Sequence, residues 1–427
     1  MKRRFGLWML ATVVVALGLG AWWFLFDPSP SISEAGPTDS VAALVERGAY
    51  LERGAYLARA GNCMACHTTQ GGEPYAGGRA IETPFGTVYS SNLTPDRVNG
   101  IGNWTSVDFW RALHEGRAPD GRLLYPAFPY TSFTQVSQSD ADALFAYLRS
   151  LPAVAQANRP HAMRWPYDSQ LALAAWRTLY FKPTVFQNDP AHDAQWNRGA
   201  YLVRGLGHCS ACHTSRNLLG AIDERLALAG GTIPMSNWYA PSLLKAAEAG
   251  LGQWEVADIV RLLGTGQASN ASVAGPMAEV VLHGTQYLTQ EDLRAMAVYL
   301  KGLPQESAQR DGGVAAPSAI GAGIYDDQCA QCHGQQGEGV PGAYPALAGN
   351  RAVLMRNTTN LVQMVLHGGF APATRGNPRP FGMPPYQLVL DDKAVAAVLT
   401  HVRASWGNQA GAVSELEVSR YRARETR

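Results

Sequence analysis

The six cysteines of this chain occur only as three pairs of one spacing, Cys63-Met-Ala-Cys66-His67, Cys209-Ser-Ala-Cys212-His213 and Cys329-Ala-Gln-Cys332-His333. Three ordinary readings compete for such pairs. A thioredoxin-like dithiol wants a βαβ setting and no obligatory histidine, structural zinc wants two knuckles sharing one site, and disulfides need no histidine after every second cysteine. A histidine after all three pairs, with no cysteine left over, points instead to covalent attachment of c-type haem. The thiols then form thioethers to the porphyrin edge, and the histidine rides on the same helical turn, where its imidazole reaches the iron. A chain with three such turns has to wrap three macrocycles.

The text around the motifs repeats as well. "RGAYLARAGNCMACHT" (Arg53 to Thr68) is nearly rewritten as "RGAYLVRGLGHCSACHT" (Arg198 to Thr214). "GIGNWTSVDFWRALHEG" (Gly100 to Gly116) aligns without a gap on "GLGQWEVADIVRLLGTG" (Gly250 to Gly266), and "LVQMVLHGG" (Leu361 to Gly369) reads as a third copy. Each unit closes on a helix-like run: "SDADALFAYLRSLP" from Ser139, "TQEDLRAMAVYLKGLP" from Thr289 and "DDKAVAAVLTHVRASWG" from Asp391. Ser139 with Asp142, and Thr289 with Asp292, have the spacing of N-caps, and apolar positions then recur at three and four. Pro152 and Pro304 stop the first two runs.

The predicted fold is therefore all-α, with three tandem class I cytochrome c-like domains after an N-terminal transmembrane helix. The expected boundaries are an anchor or signal segment with its linker at 1–40, domains at 41–190, 191–305 and 318–410, and a solvated polar tail at 411–427. The apolar run "LALAAWRTLYF" (Leu171 to Phe181) is expected to pack between domains.

At the N-terminus, Lys2, Arg3 and Arg4 precede an uncharged stretch from Phe5 to Phe26. That stretch exceeds the roughly 20 apolar residues needed to span a bilayer. A cleaved signal peptide is the competing reading, but its apolar core is shorter and ends at small residues, whereas this one ends at Trp22-Trp23-Phe24-Leu25-Phe26. With basic residues kept on the cytoplasmic side, either reading exports the rest, so the predicted location is the cell membrane with the haem domains on the periplasmic side. A net charge of +1 gives no electrostatic case for nucleic acid.

An iron that only passes electrons is usually six-coordinate, and methionine opposite histidine raises its potential. Met277 and Met383 each follow the glycine that ends the middle helix of their unit, each beside a proline, in "AGPMAEV" and "FGMPPY". The expected iron ligands are His67, His213 and His333 on one side, and Met277 and Met383 on the other. In the first unit the matching place, in "LYPAFPYTSF", is Phe128, which has no lone pair to give. His114, His161, Tyr125, Tyr130 and an open iron position stay in play there, although His367 shares the register of His114 in a unit that already has Met383. His208 and His283 read as surface or loop residues, and the tryptophans, Trp104 and Trp254 among them, as packing for the macrocycle.

Together with "SNLTPDRVNGIGNWT", "GPMAEVVLHGTQYLT" and "GMPPYQLVLDDKAVAAVLTHVRASWGN", the three motifs make the chain resemble the tri-haem cytochrome c subunits of membrane-bound periplasmic dehydrogenases, such as the alcohol and gluconate dehydrogenases of aerobic bacteria. The resemblance implies three covalently bound haem c groups, held by Cys63, Cys66, Cys209, Cys212, Cys329 and Cys332. It also implies a dehydrogenase catalytic subunit as electron donor and membrane quinone or a terminal oxidase as acceptor. The chain would then be a membrane-tethered electron-transfer subunit with no catalytic residues of its own. Two rival readings are a first haem with an open iron that binds or reduces a small molecule, and a haem subunit of a terminal oxidase.

Overall fold

The computed structural model describes residues 48–269, 271–306 and 313–422. Each unit is built on two crossed helices. In the first, α1 (Gly48–Ala60) crosses the closing helix, with α2 (Ser106–Glu115) in the middle and α3 (Gln138–Ser150) closing. A connector helix, α4 (Gln170–Tyr180), follows. The second unit repeats the plan with α5 (Ala194–Arg204), α6 (Val256–Thr265), the additional α7 (Pro276–His283) and α8 (Gln290–Lys301). The third has α9 (Ala319–Gln328), α10 (Thr359–His367), α11 (Asp392–Ala404) and a last helix, α12 (Glu415–Arg422).

A glycine sets each crossing. A Cβ on Gly54 would sit 2.0 Å from the carbonyl oxygen of Ala143, one on Gly199 2.0 Å from that of Ala295, and one on Gly321 2.1 Å from that of Ala397. Such distances are inside any van der Waals contact, so only a residue without a side chain lets the two helices approach this closely. Capping fixes the ends. Thr105 and Asp108 form a reciprocal capping box on α2, which satisfies two of the orphan N–H donors of the first turn. Thr289 accepts from the Asp292 amide as expected, but α3 starts earlier than the spacing suggested: its cap is Ser137, which accepts from the Asp140 amide. Ser139 already lies inside the helix.

The all-α expectation behind a transmembrane helix is corrected. The loops that follow the motifs form antiparallel ladders among the described residues: a three-stranded sheet in the order β1 (Ala80–Thr83), β2 (Gly86–Tyr89), β3 (Ala162–Met163), and the pairs β4 (Gly231–Ile233) with β5 (Trp238–Ala240), β6 (Gln267–Ala268) with β7 (Ala271–Ser272), and β8 (Gly369–Phe370) with β9 (Gly382–Met383). Long glycine-rich loops laid over a core must satisfy their own N–H and C=O groups, and short ladders do this where no helix period exists. Among the described residues no helix is long and apolar enough to cross a membrane. The expected span, 5–26, lies outside them.

Two further expectations change. Val418 on α12 is fully buried, Val413 nearly so, and Arg422 bonds Asp392 at 2.5 Å and the Leu390 carbonyl at 2.8 Å, so the polar tail docks on the third unit rather than standing in solvent. Its apolar residues are too few to show as a periodic face. The connector α4 reaches the second unit through Trp176, whose Nε1–H donates to the Leu219 carbonyl at 2.9 Å. It buries only Leu173 and leaves Leu171 and Leu179 exposed.

The first two units pack as a near-symmetric pair with one continuous core. The third unit docks on the second through Asn360, whose side chain pairs with both backbone groups of Tyr239, accepting at 2.9 Å and donating at 2.7 Å, and through Gln363, which donates to the Asn237 carbonyl at 2.9 Å.

Candidate haem sites

Each Cys-x-x-Cys-His motif forms one helical turn at the end of its unit's first helix: Cys63–Cys66, Ser210–His213 and Ala330–His333. None of the six cysteines is in a disulfide. Desolvation, the largest influence, pushes the Cys63 and Cys209 thiols up to about 12 and the Cys329 thiol up to about 11. A redox dithiol needs the opposite, a thiolate stabilised at neutral pH. Among the described residues no group of three or more His, Cys, Asp or Glu side chains could hold a bare metal ion, which removes the zinc reading.

The three histidines share one geometry. Nδ1 of His67 is 2.7 Å from the Ser91 carbonyl oxygen, that of His213 is 2.7 Å from the Pro241 oxygen, and that of His333 is 2.9 Å from the Pro345 oxygen. A carbonyl only accepts, so Nδ1 carries the proton and each Nε2 keeps its lone pair. Desolvation lowers the pKa of all three rings, holding them in the neutral form a metal requires, while the carbonyl contact opposes it in part. A fixed tautomer and a fixed ring orientation are what an outer hydrogen bond does for a metal-ligating histidine. The sequence reading passed over these carbonyls, yet a shared signal exists: each is followed two residues later by leucine, in Ser91-Asn-Leu93, Pro241-Ser-Leu243 and Pro345-Ala-Leu347.

A cavity of about 610 Å³ joins the second and third sites. Its walls bring together Cys209, Cys212, His213 and Met277 from one unit and Cys329, Cys332, His333 and Met383 from the other. Both methionines therefore face the same space as the histidines of their own units, across a lining that is overwhelmingly apolar. Trp254 lies on this wall with its Nε1–H buried and unpartnered, a donor left over for a bound group. The residues present fit a porphyrin: each site brings paired thiols, a histidine and a thioether to apolar walls. Not every tryptophan serves this purpose, since Trp196 stacks on His192 and Trp406 packs on Tyr325.

The first site lies beside the second. His208, read as a surface or loop residue, lies in a loop and is half-buried on the cavity wall, its ring centre 5.5 Å from that of Phe133 of the first unit in an edge-to-face contact. In the first two motifs the carbonyl of the alanine before the second cysteine accepts from an arginine at a different place in the sequence: Arg79 Nη1 donates to Ala65 at 2.5 Å, and Arg216 Nη2 to Ala211 at 2.7 Å. Arg79 also bonds Glu279 of α7 at 3.0 Å, tying the first motif to the helix that carries Met277.

Phe128 occupies the predicted methionine register of the first unit and packs on the core, its ring centre 5.3 Å from that of Phe133. His114 and His161 each bond backbone through Nδ1. Nδ1 of His114 is spent on the Thr134 carbonyl at 2.8 Å, and that of His161 accepts from the Tyr89 amide at 3.2 Å. His283, on α7, is half-buried.

Comparison with known proteins gives a consistent picture. The cytochrome c family model matches residues 51–152 and 318–406, the first and third units. The chain is 40% identical over 406 residues to the cytochrome c subunit of a quinone alcohol dehydrogenase of Gluconacetobacter polyoxogenes, covering 90% of this chain and 85% of that protein. It is 39% identical over 409 residues to the cytochrome c subunit of gluconate 2-dehydrogenase of Pantoea cypripedii, covering 90% of each. A diheme cytochrome c-type protein of Cereibacter sphaeroides is 36% identical over 303 residues, 69% of this chain and 96% of that one.

Proposed function

Because the chain belongs to the cytochrome c subunits of dehydrogenases, electron-transfer proteins with covalently bound haem c, we propose that it carries three haems and passes electrons along them. In this reading Cys63 and Cys66, Cys209 and Cys212, and Cys329 and Cys332 hold one haem each. His67, His213 and His333 would give Nε2 to the irons, and Met277 and Met383 would supply sulfur to the second and third. Haem supplies a reversible one-electron couple when bound. The protein's part is to keep each histidine neutral and oriented, to exclude water with apolar walls, and to hold neighbouring sites close.

The observation that carries the proposal is the shared cavity: the motifs and methionines of two units line one space. Tunnelling falls off exponentially with distance, so two redox groups in one apolar cavity exchange electrons readily. The partner that donates electrons is the catalytic subunit of a dehydrogenase. The acceptor we propose is membrane quinone or a terminal oxidase, and the location we propose is the periplasmic side of the cell membrane. The basic residues and uncharged stretch at the N-terminus support export.

Intact-mass analysis of protein matured in a cytochrome-competent host tests the haem count. Three added macrocycles are expected, and Cys209→Ala with Cys212→Ala should remove one. Fewer than three in the native chain would refute the proposal. Purification of the native complex should bring down a dehydrogenase large subunit, and rapid mixing with its reduced form should reduce the haems within turnover time.

A further inference from the structure

We propose that the iron of the first unit has no protein ligand opposite His67 and that this position binds a small neutral gas such as carbon monoxide or nitric oxide. The inference rests on the three-haem reading above.

Among the described residues, the donors that the first unit's own sequence offers do not replace the missing sulfur. Met277 and Met383 both line the cavity they share, while Phe128, in the same register, offers only a phenyl ring packed against Phe133. Hydrocarbon cannot bind iron.

His114 faces elsewhere. Its ring stacks on Trp110 at 4.6 Å and 13°. Its register counterparts are Gly264 and His367; neither belongs to the cavity wall, although their neighbours Leu263 and Val365 do. In the third unit, where the repeat also has histidine at this place, the position thus stays off the cavity wall.

His161 is in the wrong tautomer. Its Nδ1 accepts from the Tyr89 amide at 3.2 Å, so the neutral ring carries its proton on Nε2 and has no second lone pair. Tyr89 ends β2, two residues before Ser91, whose carbonyl orients His67.

The tyrosines do not substitute. Tyr130 is completely buried beneath Gly116, where a Cβ would come within 2.6 Å of its ring, and packs edge-on against Phe181 at 4.8 Å. Tyr125 meets the edge of His161 at 5.2 Å, and burial raises its pKa, so it stays a neutral phenol and a poor donor to iron. Met64 sits inside the motif turn and Met163 pairs with Gly86 in the sheet.

An open iron under a phenyl ring selects its ligand by solvation. Placing a hydrated anion against Phe128 leaves its charge unsolvated, whereas a neutral diatomic loses little on leaving water.

The test uses the purified, three-haem protein. Electron paramagnetic resonance of the oxidised form should show one high-spin and two low-spin irons, and titration of the reduced form should take up one carbon monoxide per chain. Phe128→Met should abolish the high-spin signal and weaken carbon monoxide binding at least tenfold, while His161→Ala should leave both unchanged. Three low-spin irons with no uptake in the native protein would overturn the proposal, as would full uptake retained in Phe128→Met with a newly low-spin first haem absent. If that variant does not accumulate, the spin states of the native protein decide alone. A peptide spanning Cys63 and Cys66 without a haem adduct would instead overturn the three-haem reading, and this proposal with it.

Discussion

Tyr56 of the first unit donates its phenolic hydrogen to Asp292 of the second at 2.5 Å. The repeat returns the bond, since Tyr201 of the second unit donates to Asp140 of the first at 2.6 Å. Each aspartate is also held by the arginine of its own unit, Asp292 by Arg198 at 2.7 and 2.8 Å and Asp140 by Arg53. Each tyrosine oxygen accepts in turn from the capping residue of the other unit, Thr289 or Ser137, at 3.2 and 3.1 Å. The two units thus clasp by the same residues in both directions, as the halves of a symmetric dimer do.

Removing one clasp hydroxyl should loosen the pair without unfolding it. A hydrogen bond to a charged group contributes roughly 1.5–3 kcal/mol, so Tyr56→Phe and Tyr201→Phe should each lower the unfolding free energy by about that amount. Calorimetry should show equal effects for the two variants, because the environments match. A near-zero effect for one of them would mean that the symmetry is only geometric.

The clasp also predicts acid sensitivity. Burial works to raise the Asp292 pKa, but hydrogen bonds from Arg198 and Tyr56 outweigh it and hold the carboxyl below its ordinary value. A depressed folded pKa gives stability that is present above the unfolded value, about 3.9, and is lost as pH falls through the folded one. Native protein should therefore lose stability below about pH 4, and Asp292→Asn should be less stable at neutral pH but flatter across that range. Unfolding midpoints measured from pH 3 to 7 (roughly the window set by a carboxylate near 4) would check the slope.

The glycines at the three crossings should tolerate nothing larger. Gly54→Ala, Gly199→Ala and Gly321→Ala each drive a methyl into a backbone carbonyl, and overpacking of a fitted contact costs about 1–3 kcal/mol or more. Backbone cannot swing aside as a flexible side chain can. The readout is the melting temperature of each holoprotein, with Gly323→Ala, where a Cβ meets nothing within 4 Å, as the neutral control.

Methionine ligation has an optical signature, the sulfur-to-iron charge-transfer band of the oxidised form. With two such ligands in three haems, Met277→Ala or Met383→Ala should remove about half of that band and lower the potential of one haem, since a methionine axial ligand raises it. Spectroelectrochemical titration would separate the affected haem from its siblings. An undiminished band in both variants would place the sulfur ligands elsewhere.

The covalent chemistry was legible because it is local. Two thiols and an imidazole on one turn need only contiguous residues, so Cys209 to His213 could be read without a fold, and the repeat then supplied Met277 and Met383 by register. The helix starts were nearly legible, with Thr289 correct and Ser139 two residues late, because both Ser137 and Ser139 can cap and the sequence offers no way to choose. The loop ladders and the docking of Val418 escaped notice because neither has a helical period.

Sequence alone therefore determined the number of attachment motifs, their histidines, the candidate sulfur ligands and the odd phenylalanine, all properties of short segments and of their repetition. Only the tertiary structure decided that the second and third sites share one cavity, that His114 and His161 spend their Nδ1 atoms on backbone, and that Tyr56 reaches Asp292 in another unit. These depend on how whole units pack, through contacts between residues as far as 236 positions apart along the chain. Packing free energy sums over many such distant pairs, and no single stretch of sequence carries enough of it to show the outcome.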